Sequence, residues 1–382
     1  MNNIYKPTIL YLCVDPELGG STASLYNLID SIRDEINPIV LFRREDSGYK
    51  YFVSKGIESY VYPYIALQEL TENKLLHVWQ HPWRWHFIKK LRFDYGCYCF
   101  IKKVLKDRKI DIIHTNASPM DIGVLLARKF SAKHVWHVRE MIDLHFNYEI
   151  YGGMSRLRGL ISHADARIAI SSAIKEYWQM PDIGTFVIND AMRSLNEACY
   201  SPLKEKYLLF CSYNLTEAKG TRKAIIAFSK SKMVDKGFVL KLMGNCDPEY
   251  KQSLMQTIQE YKVANSIEFI SCQTEVKPWF EHAMAYIMAS EYEGLGRVTG
   301  EAMFFGCPVV AYASGGTMDI VKHGETGYLF NTIDECAELI KQVCETPQKE
   351  LIMRAQEFAV KNLSQEVYGP KVMKVYKYVL EQ

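Results

Sequence analysis

Short, almost wholly apolar runs separated by stretches of helical spacing recur along this chain in two series, and few architectures accept that pattern. In the first series, residues 9–14, 38–42, 111–115, 134–138 and 167–171 read as strands, and 21–34, 117–130 and 171–179 as helices, the last opened by serines placed to cap it. Strands that are apolar throughout need cover on both faces, and helices returning between them give it, so the fold class is α/β with a doubly wound parallel sheet. The pattern lapses over about 185–206. It then resumes with strands expected at 206–212, 238–244, 266–271, 285–290 and 308–312, a second Rossmann-like series. The stretch from Val367 onward carries Val372, Val375, Tyr376 and Val379 at helical spacing and reads as a closing helix. A chain of 382 residues exceeds one ordinary core, which agrees with two domains and a cleft between them.

Composition excludes several classes. With 48% hydrophobic and 24% charged residues the chain is globular rather than disordered or a coiled coil. A net charge of +2 argues against a dedicated nucleic-acid binder, and no recognition motif accompanies the local excess of cations. No signal-peptide pattern opens the sequence and no run of about 18 apolar residues appears, so the expected location is cytoplasmic. The ten cysteines are scattered, and Cys97 and Cys99 sit too close for a zinc-finger pair; reduced thiols without a metal are expected. Charge is uneven at one place. Residues 81–110 hold Arg84, Lys89, Lys90, Arg92, Lys102, Lys103, Lys106, Arg108 and Lys109 against Asp94 and Asp107. With Trp79, Trp83, Trp85, Phe87, Phe93, Tyr95, Tyr98 and Phe100 interleaved, the stretch 79–109 suits either an interface with anionic lipid or an ordinary solvated helix face.

Residues 290–330 carry the chemistry. The strand at 285–290 leads into Glu293, Gly294, Leu295, Gly296, Arg297 and Val298 ahead of a helix. In open α/β sheets ligands bind beyond the carboxyl ends of strands, where glycines admit a ligand to the backbone and a helix N-terminus suits a diphosphate. Glu293 and Glu301 would then sit one in the loop and one a turn or two inside the helix, able to hold vicinal hydroxyls. A helix-start carboxylate that merely complements the dipole is the plainer account of each.

The span from Glu293 to Glu301 resembles the Glu-x7-Glu motif of retaining glycosyltransferases of family 4, which have the GT-B fold. Gly306 to Val310, Gly315 to Ile320 and Gly324 to Leu329 match that family in order and spacing. So, over most of the chain, do the glycine loop at Gly19 and Gly20, the strand ends at Asp111–Asn116 and Trp136–Glu140, and the turn at Ala218, Lys219 and Gly220. The resemblance implies two Rossmann-like domains facing across a cleft, with the C-terminal helix returning to the first: an acceptor domain of residues 1–190 plus 365–382, and a donor domain of residues 200–364. It implies transfer of a sugar from a nucleoside-diphosphate sugar to a saccharide or lipid-linked saccharide, in cell-surface polysaccharide assembly, by an enzyme peripheral on the inner face of the cytoplasmic membrane.

By the same resemblance Glu293, His137 and Lys219 are the catalytic candidates. Gly19, Gly20, Asn214, Lys219, Arg222, Gly294, Leu295, Gly296, Arg297, Val298 and Glu301 are the donor-binding ones, Glu301 at the nucleotide ribose. His114, Arg139 and Glu140 fit a ligand contact or a structural hydrogen bond equally. No cofactor or metal is expected, and no Asp-x-Asp occurs in the sequence. Two departures stand out. Asn214 takes the place of an arginine common in the family, and Ala218 that of the acid before Lys219, so phosphate charge falls to Lys219 with Arg297 or Arg222. Inactive donor-binding subunits and GT-B nucleotide-sugar epimerases are the alternatives; a nicotinamide oxidoreductase is disfavoured because the first strand leads to no Gly-x-Gly-x-x-Gly. Residues near 185–206 and 360–370 are the expected hinges of a closing cleft.

Overall fold

The computed structural model describes residues 5–14, 17–70, 83–106, 108–146, 148–150 and 152–382, and of residues 68–70, 83–87, 145, 146, 148 and 149 the backbone alone. The chain divides into two compact units, Met1–Asn189 with Tyr368–Gln382, and Asp190–Val367.

The first unit is built from β1 (Thr8–Cys13), β2 (Asn37–Phe42), β3 (Glu58–Val61), β4 (Gln68–Leu70), β5 (Ile112–Thr115), β6 (Lys133–Val138), β7 (Tyr148–Ile150), β8 (Ala166–Ala169) and β9 (Thr185–Val187). Its helices are α1 (Gly20–Ile32), α2 (Ser47–Ser54), α3 (Trp83–Leu105), α4 (Ile122–Phe130), α5 (Ile142–Phe146), α6 (Met154–Ser162) and α7 (Ser172–Tyr177). The main sheet runs β3-β2-β1-β5-β6-β8-β9 with parallel pairing, and β4 and β7 form a separate antiparallel pair. Continuous burial explains the unbroken apolar runs: Ile9 to Cys13 are all inaccessible to solvent. Leu10, Leu12, Leu41 and Ile113 pack on Cys97, Ile101 and Leu105 of α3 and on Leu126 of α4.

The helix expected from residue 117 starts only at Ile122. Pro119 disfavours helical backbone at Ser118, and the segment finds other partners: Ala117 O accepts from Trp136 Nε1 at 2.9 Å, and Pro119 O from Leu67 N at 2.8 Å. The expected cap of α7 is present, with Ser171 Oγ accepting from Ile174 N at 3.2 Å.

The second unit holds β10 (Tyr207–Leu215), β11 (Val239–Cys246), β12 (Ile267–Ile270), β13 (Ala285–Met288), β14 (Val309–Tyr312) and β15 (Tyr328–Phe330), all parallel in the order β12-β11-β10-β13-β14-β15. Around them lie α8 (Thr221–Lys230), α9 (Pro248–Glu260), α10 (Lys277–His282), α11 (Arg297–Phe304), α12 (Thr317–Ile320), α13 (Ile333–Glu345) and α14 (Lys349–Leu363). α15 (Gln365–Leu380) begins in this unit, and from Tyr368 it belongs to the first, where Tyr368, Val372, Val375, Tyr376 and Val379 are buried. Each sheet reverses its strand order once. In the first unit the switch lies between β1 and β5, in the second between β10 and β13, and strand-end loops diverge there to leave room for a ligand.

Candidate active site

At the switch point of the second sheet two loops are pressed together by glycines. The loop after β10 turns at Gly220 with φ +77°, and a Cβ there would run into the Ala289 carbonyl just beyond β13, so only glycine lets the turn lie this close. The loop after β13 rests on Gly315 and Gly316. Gly316 N donates to Glu293 O at 2.8 Å, Ser314 Oγ donates to Glu291 O, and side chains at either glycine would collide with the backbone of Glu293 or Gly294.

With both loops fixed, Lys219 Nζ stands 2.6 Å from Glu293 Oε1. The lysine is 40% exposed and the glutamate 18%, so the pair faces solvent across the switch point.

Next to it α11 begins. Gly296 (φ +81°) precedes the helix without a side-chain cap, and Gly294 and Leu295 are buried beneath the first turn while Arg297 and Val298 are half-buried. The leading N–H groups and the positive end of the helix dipole lie at the place where the sequence led us to expect a diphosphate. Glu301 lies one turn into α11, its Oε1 3.1 Å from Arg193 Nη2. Lys223 pairs with Glu291, so each of the three carboxylates has its own cation. Burial first, then the sulfur of Cys211 and the charges of Glu293 and Glu301, push the Tyr286 phenol pKa well up.

The remaining donor-binding expectations divide. Arg297 Nη1 donates to Ala191 O at 3.3 Å. Asn214 is exposed at the end of β10, past a bulge between Cys211 and Asn214. Arg222 is not brought to this group: it donates to Glu217 Oε2 at 3.0 Å, to Ser253 Oγ at 2.5 Å and to Thr257 Oγ1, which ties its guanidinium to α9.

In the first unit, Gly19 and Gly20 open α1 at the end of β1, again without a side-chain cap. Gly19 has φ −86°, and a Cβ on it would meet nothing within 4 Å, so the fold itself does not ask for glycine there. Across the switch, Asn116 N donates to Leu12 O at 3.1 Å and its Nδ2 to Ser21 O at 3.3 Å. Its Oδ1 receives Arg139 Nε and Nη2 at 3.1 and 3.0 Å. Arg139 Nη2 also lies 3.4 Å from His137 Nδ1 and 3.4 Å from the Tyr368 hydroxyl.

A guanidinium can only donate. His137 Nδ1 is therefore the acceptor, and the proton of the neutral ring sits on Nε2. Burial, then Arg139 and His114, push the His137 pKa well down, which keeps the ring neutral.

His114 makes a structural hydrogen bond, with Nδ1 2.9 Å from the Tyr376 hydroxyl, which in turn donates to Tyr11 Oη at 3.1 Å. Burial first, and then Arg139, lower its pKa well below the usual value. Glu140 Oε2 accepts from Ser118 N and Oγ at 3.1 and 2.7 Å, holding the loop ahead of α4.

Sequence reasoning missed Arg193, which lies where the alternating pattern lapses, and the hydroxyls of Tyr368 and Tyr376, whose helical spacing announced only an apolar face.

The basic and aromatic stretch is less uniform than its sequence suggested. Trp79 and Asp107 lie outside the described residues, as do the side chains of Trp83, Arg84, Trp85 and Phe87. Lys90 is buried between Asp94 and Asp121, at 2.5 and 2.6 Å. Arg108 pairs with Glu58, and Lys109 with Asp111 at 3.0 Å. Tyr98 and Phe100 pack against the core. What remains on the surface of α3 is Ile88, Leu91 and Tyr95, each about half exposed or more, with Lys89, Arg92, Cys99, Lys102 and Lys103. Among the described residues no helix is long and apolar enough to cross a membrane, and no three His, Cys, Asp or Glu side chains are placed to hold a metal ion.

Residues 18–180 match the family model described as Glycosyltransferase Family 4, and residues 198–359 the model described as Glycosyl transferases group 1. The chain belongs to the family 4, group 1 glycosyltransferases. This glycosyltransferase is similar to N-acetyl-alpha-D-glucosaminyl L-malate synthase of Bacillus anthracis, 23% identical over 350 residues that span 86% of this chain and 88% of the relative. Among solved structures it is similar to Anabaena HepE in complex with UDP (TM-score 0.79, 19% identity, 97% of this chain and 99% of that one). It is also similar to sucrose-phosphate synthase of Thermosynechococcus elongatus (TM-score 0.77, 17% identity, 98% and 100%). The glycosyltransferase thus has the GT-B fold.

Proposed function

We propose that this glycosyltransferase moves a sugar, with retention of anomeric configuration and without a metal, from a nucleoside-diphosphate sugar to a saccharide or lipid-linked saccharide in cell-surface polysaccharide assembly. The observation that carries the reading is the Lys219–Glu293 pair across the switch point of the second sheet, beside the uncapped start of α11. The diphosphate takes the N–H groups at Gly294–Val298 and the charge of Lys219. Glu301 accepts from the ribose hydroxyls, and Glu293 faces the transferred sugar. In the first unit His137 presents an N–H, not a basic lone pair, to a sugar hydroxyl.

The bond from the anomeric carbon to the diphosphate oxygen breaks with its electron pair on the diphosphate. The acceptor hydroxyl forms the new bond on the same face, and its proton goes to the departing diphosphate oxygen. Solved structures of the similar HepE with UDP and with UDP-glucose support the donor class.

The test starts from thermal shifts with UDP, GDP, ADP and TDP and their sugars. One nucleotide family is expected to stabilise the protein, and the Glu301→Ala variant to show a weakened effect. Lys219→Ala and Glu293→Gln should keep the fold and lose roughly 100- to 1,000-fold in kcat, the scale for removing one preorganised electrostatic partner. A product of inverted configuration by NMR would overturn the stereochemical assignment, and turnover that needs added divalent metal the metal-free one.

The surface of α3 supports a peripheral setting at the inner face of the cytoplasmic membrane. Ile88, Leu91 and Tyr95 can enter the headgroup region while Lys89, Arg92, Lys102 and Lys103 meet anionic lipid. All ten cysteines are free thiols, which suits a reducing cytoplasm. Cosedimentation with phosphatidylglycerol vesicles but not phosphatidylcholine ones, weakened in Leu91→Ser, is the expected outcome; equal recovery with both lipids would count against the contact.

A further inference from the structure

Three consecutive residues at the start of the second unit run along α11. Arg297 Nη1 donates to Ala191 O at 3.3 Å; a Cβ on Gly300 would come within 2.7 Å of Met192 Cγ; Arg193 Nη2 meets Glu301 Oε1 at 3.1 Å. The segment is fixed from its other side as well, by Met192 N donating to Leu363 O at 2.8 Å and Gln365 N to Arg193 O at 3.1 Å. Beyond the backbone, the Arg193 guanidinium lies 5.3 Å from the Phe305 ring centroid and 3.4 Å from Glu197 Oε2. Glu197 is itself held, its other oxygen accepting from Ser194 N at 3.1 Å.

A flexible surface pair would be worth little. Here an arginine anchored by backbone, ring and a second carboxylate reaches one oxygen of a glutamate that is only 17% exposed. A carboxylate has room for several donors, so one held at Oε1 keeps acceptor capacity for hydroxyls while losing its freedom to turn away.

We infer that Arg193 is a positioning residue that sets the Glu301 carboxylate to receive the vicinal hydroxyls of the donor ribose. The inference rests on the donor-binding reading above and deepens it. Arg193 touches no substrate. Its part is to hold Glu301 ready before the nucleotide arrives, so that discrimination for ribose over deoxyribose depends on it.

Calorimetry with the nucleoside diphosphate that binds, UDP tried first and then ADP and GDP, is compared with its 2′-deoxy and 3′-deoxy forms. The wild type should prefer the ribose form by roughly 10- to 100-fold, the scale of a hydrogen bond to a charged group. Glu301→Ala should abolish the preference. Arg193→Ala and Arg193→Gln should cut it severalfold with the diphosphate-over-monophosphate preference unchanged, Arg193→Lys should restore part of it, and the donor KM should rise more than kcat falls.

Unchanged ribose preference in both the Ala and Gln variants, with Glu301→Ala losing it, overturns the role of Arg193 alone. Equal weakening of ribose and deoxyribose forms shows a merely structural arginine and also overturns it. If Glu301→Ala keeps the preference, or no nucleotide binds, the donor reading fails and the inference goes with it. Should Arg193→Ala not fold, the Gln and Lys variants decide, since both keep a longer polar side chain at the position.

Discussion

Gly19 and Gly220 sit in similar places, each before a helix at a sheet switch point, yet physical chemistry asks different things of them. Gly220 needs both its positive φ and its missing side chain, because a Cβ would strike the Ala289 carbonyl. Gly220→Ala should therefore lower stability by roughly 1–3 kcal/mol, the scale of a strained backbone, seen as a fall in the urea midpoint. Gly19→Ala should leave that midpoint unchanged, because a Cβ there meets nothing within 4 Å, and on the proposed reading of this loop as part of the donor site it should weaken donor binding. A loss of stability in Gly19→Ala would refute the distinction. At this scale the sequence was readable where residues stand in motifs, Glu293 and Glu301 in one and Lys219 in the Ala218–Gly220 turn, which the fold brings within 2.6 Å of Glu293. Arg193 was not readable, because its role comes from a segment without periodicity laid along α11, and nothing in the order of residues signals that contact. Arg222 misled for the opposite reason: its position next to Lys219 says nothing of Ser253 and Thr257, which claim its donors.

Elements were legible in proportion to how completely they are buried. β1, β2, β5 and β6 announced themselves as apolar runs because both faces are covered. β3 is half-buried throughout and carries Glu58, Ser59 and Tyr60, so it left no such run. α15 was visible as a helix, but its hydroxyls serve a purpose that spacing could not reveal: Tyr376 satisfies His114 Nδ1 and Tyr368 receives Arg139. Tyr376→Phe should cost about 1–3 kcal/mol, the scale for stranding a buried polar group, while Tyr378→Phe should cost almost nothing. Equal stability of the two variants by chemical denaturation would mean that the hydroxyl at Tyr376 does no structural work.

The whole molecule carries its buried imidazoles on one side of the unit boundary. His114, His134 and His137 are buried in the first unit, whereas in the second His282 is half-buried and His323 exposed. Burial drives the first three pKa values down, His134 to about 4 and the others well below the usual 6.5. The sign follows from linkage: below pH 6.5 the unfolded chain binds protons that the folded unit refuses, so stability falls by about 1.4 kcal/mol per pH unit for each histidine. For His134 the fall ends near pH 4. Between pH 7 and 5 the first unit should lose hydrogen-exchange protection well before the second, and His134→Gln should reduce the gap. Both units losing protection together would contradict this account.

The first unit is also discontinuous: residues 368–382 complete it after all of residues 190–367 have intervened. On the ribosome, which emits the chain from its N-terminus, the second unit can therefore finish before the first, though it comes later in the sequence. Until Tyr368 and Tyr376 emerge, Arg139 and His114 lack the hydroxyls that meet them in the finished fold, and the apolar surface that will receive Val372, Val375 and Val379 stands open to water. The nascent chain thus carries its most exposed state longest in the unit that began to be made first, and its need for chaperone cover should end with the last helix.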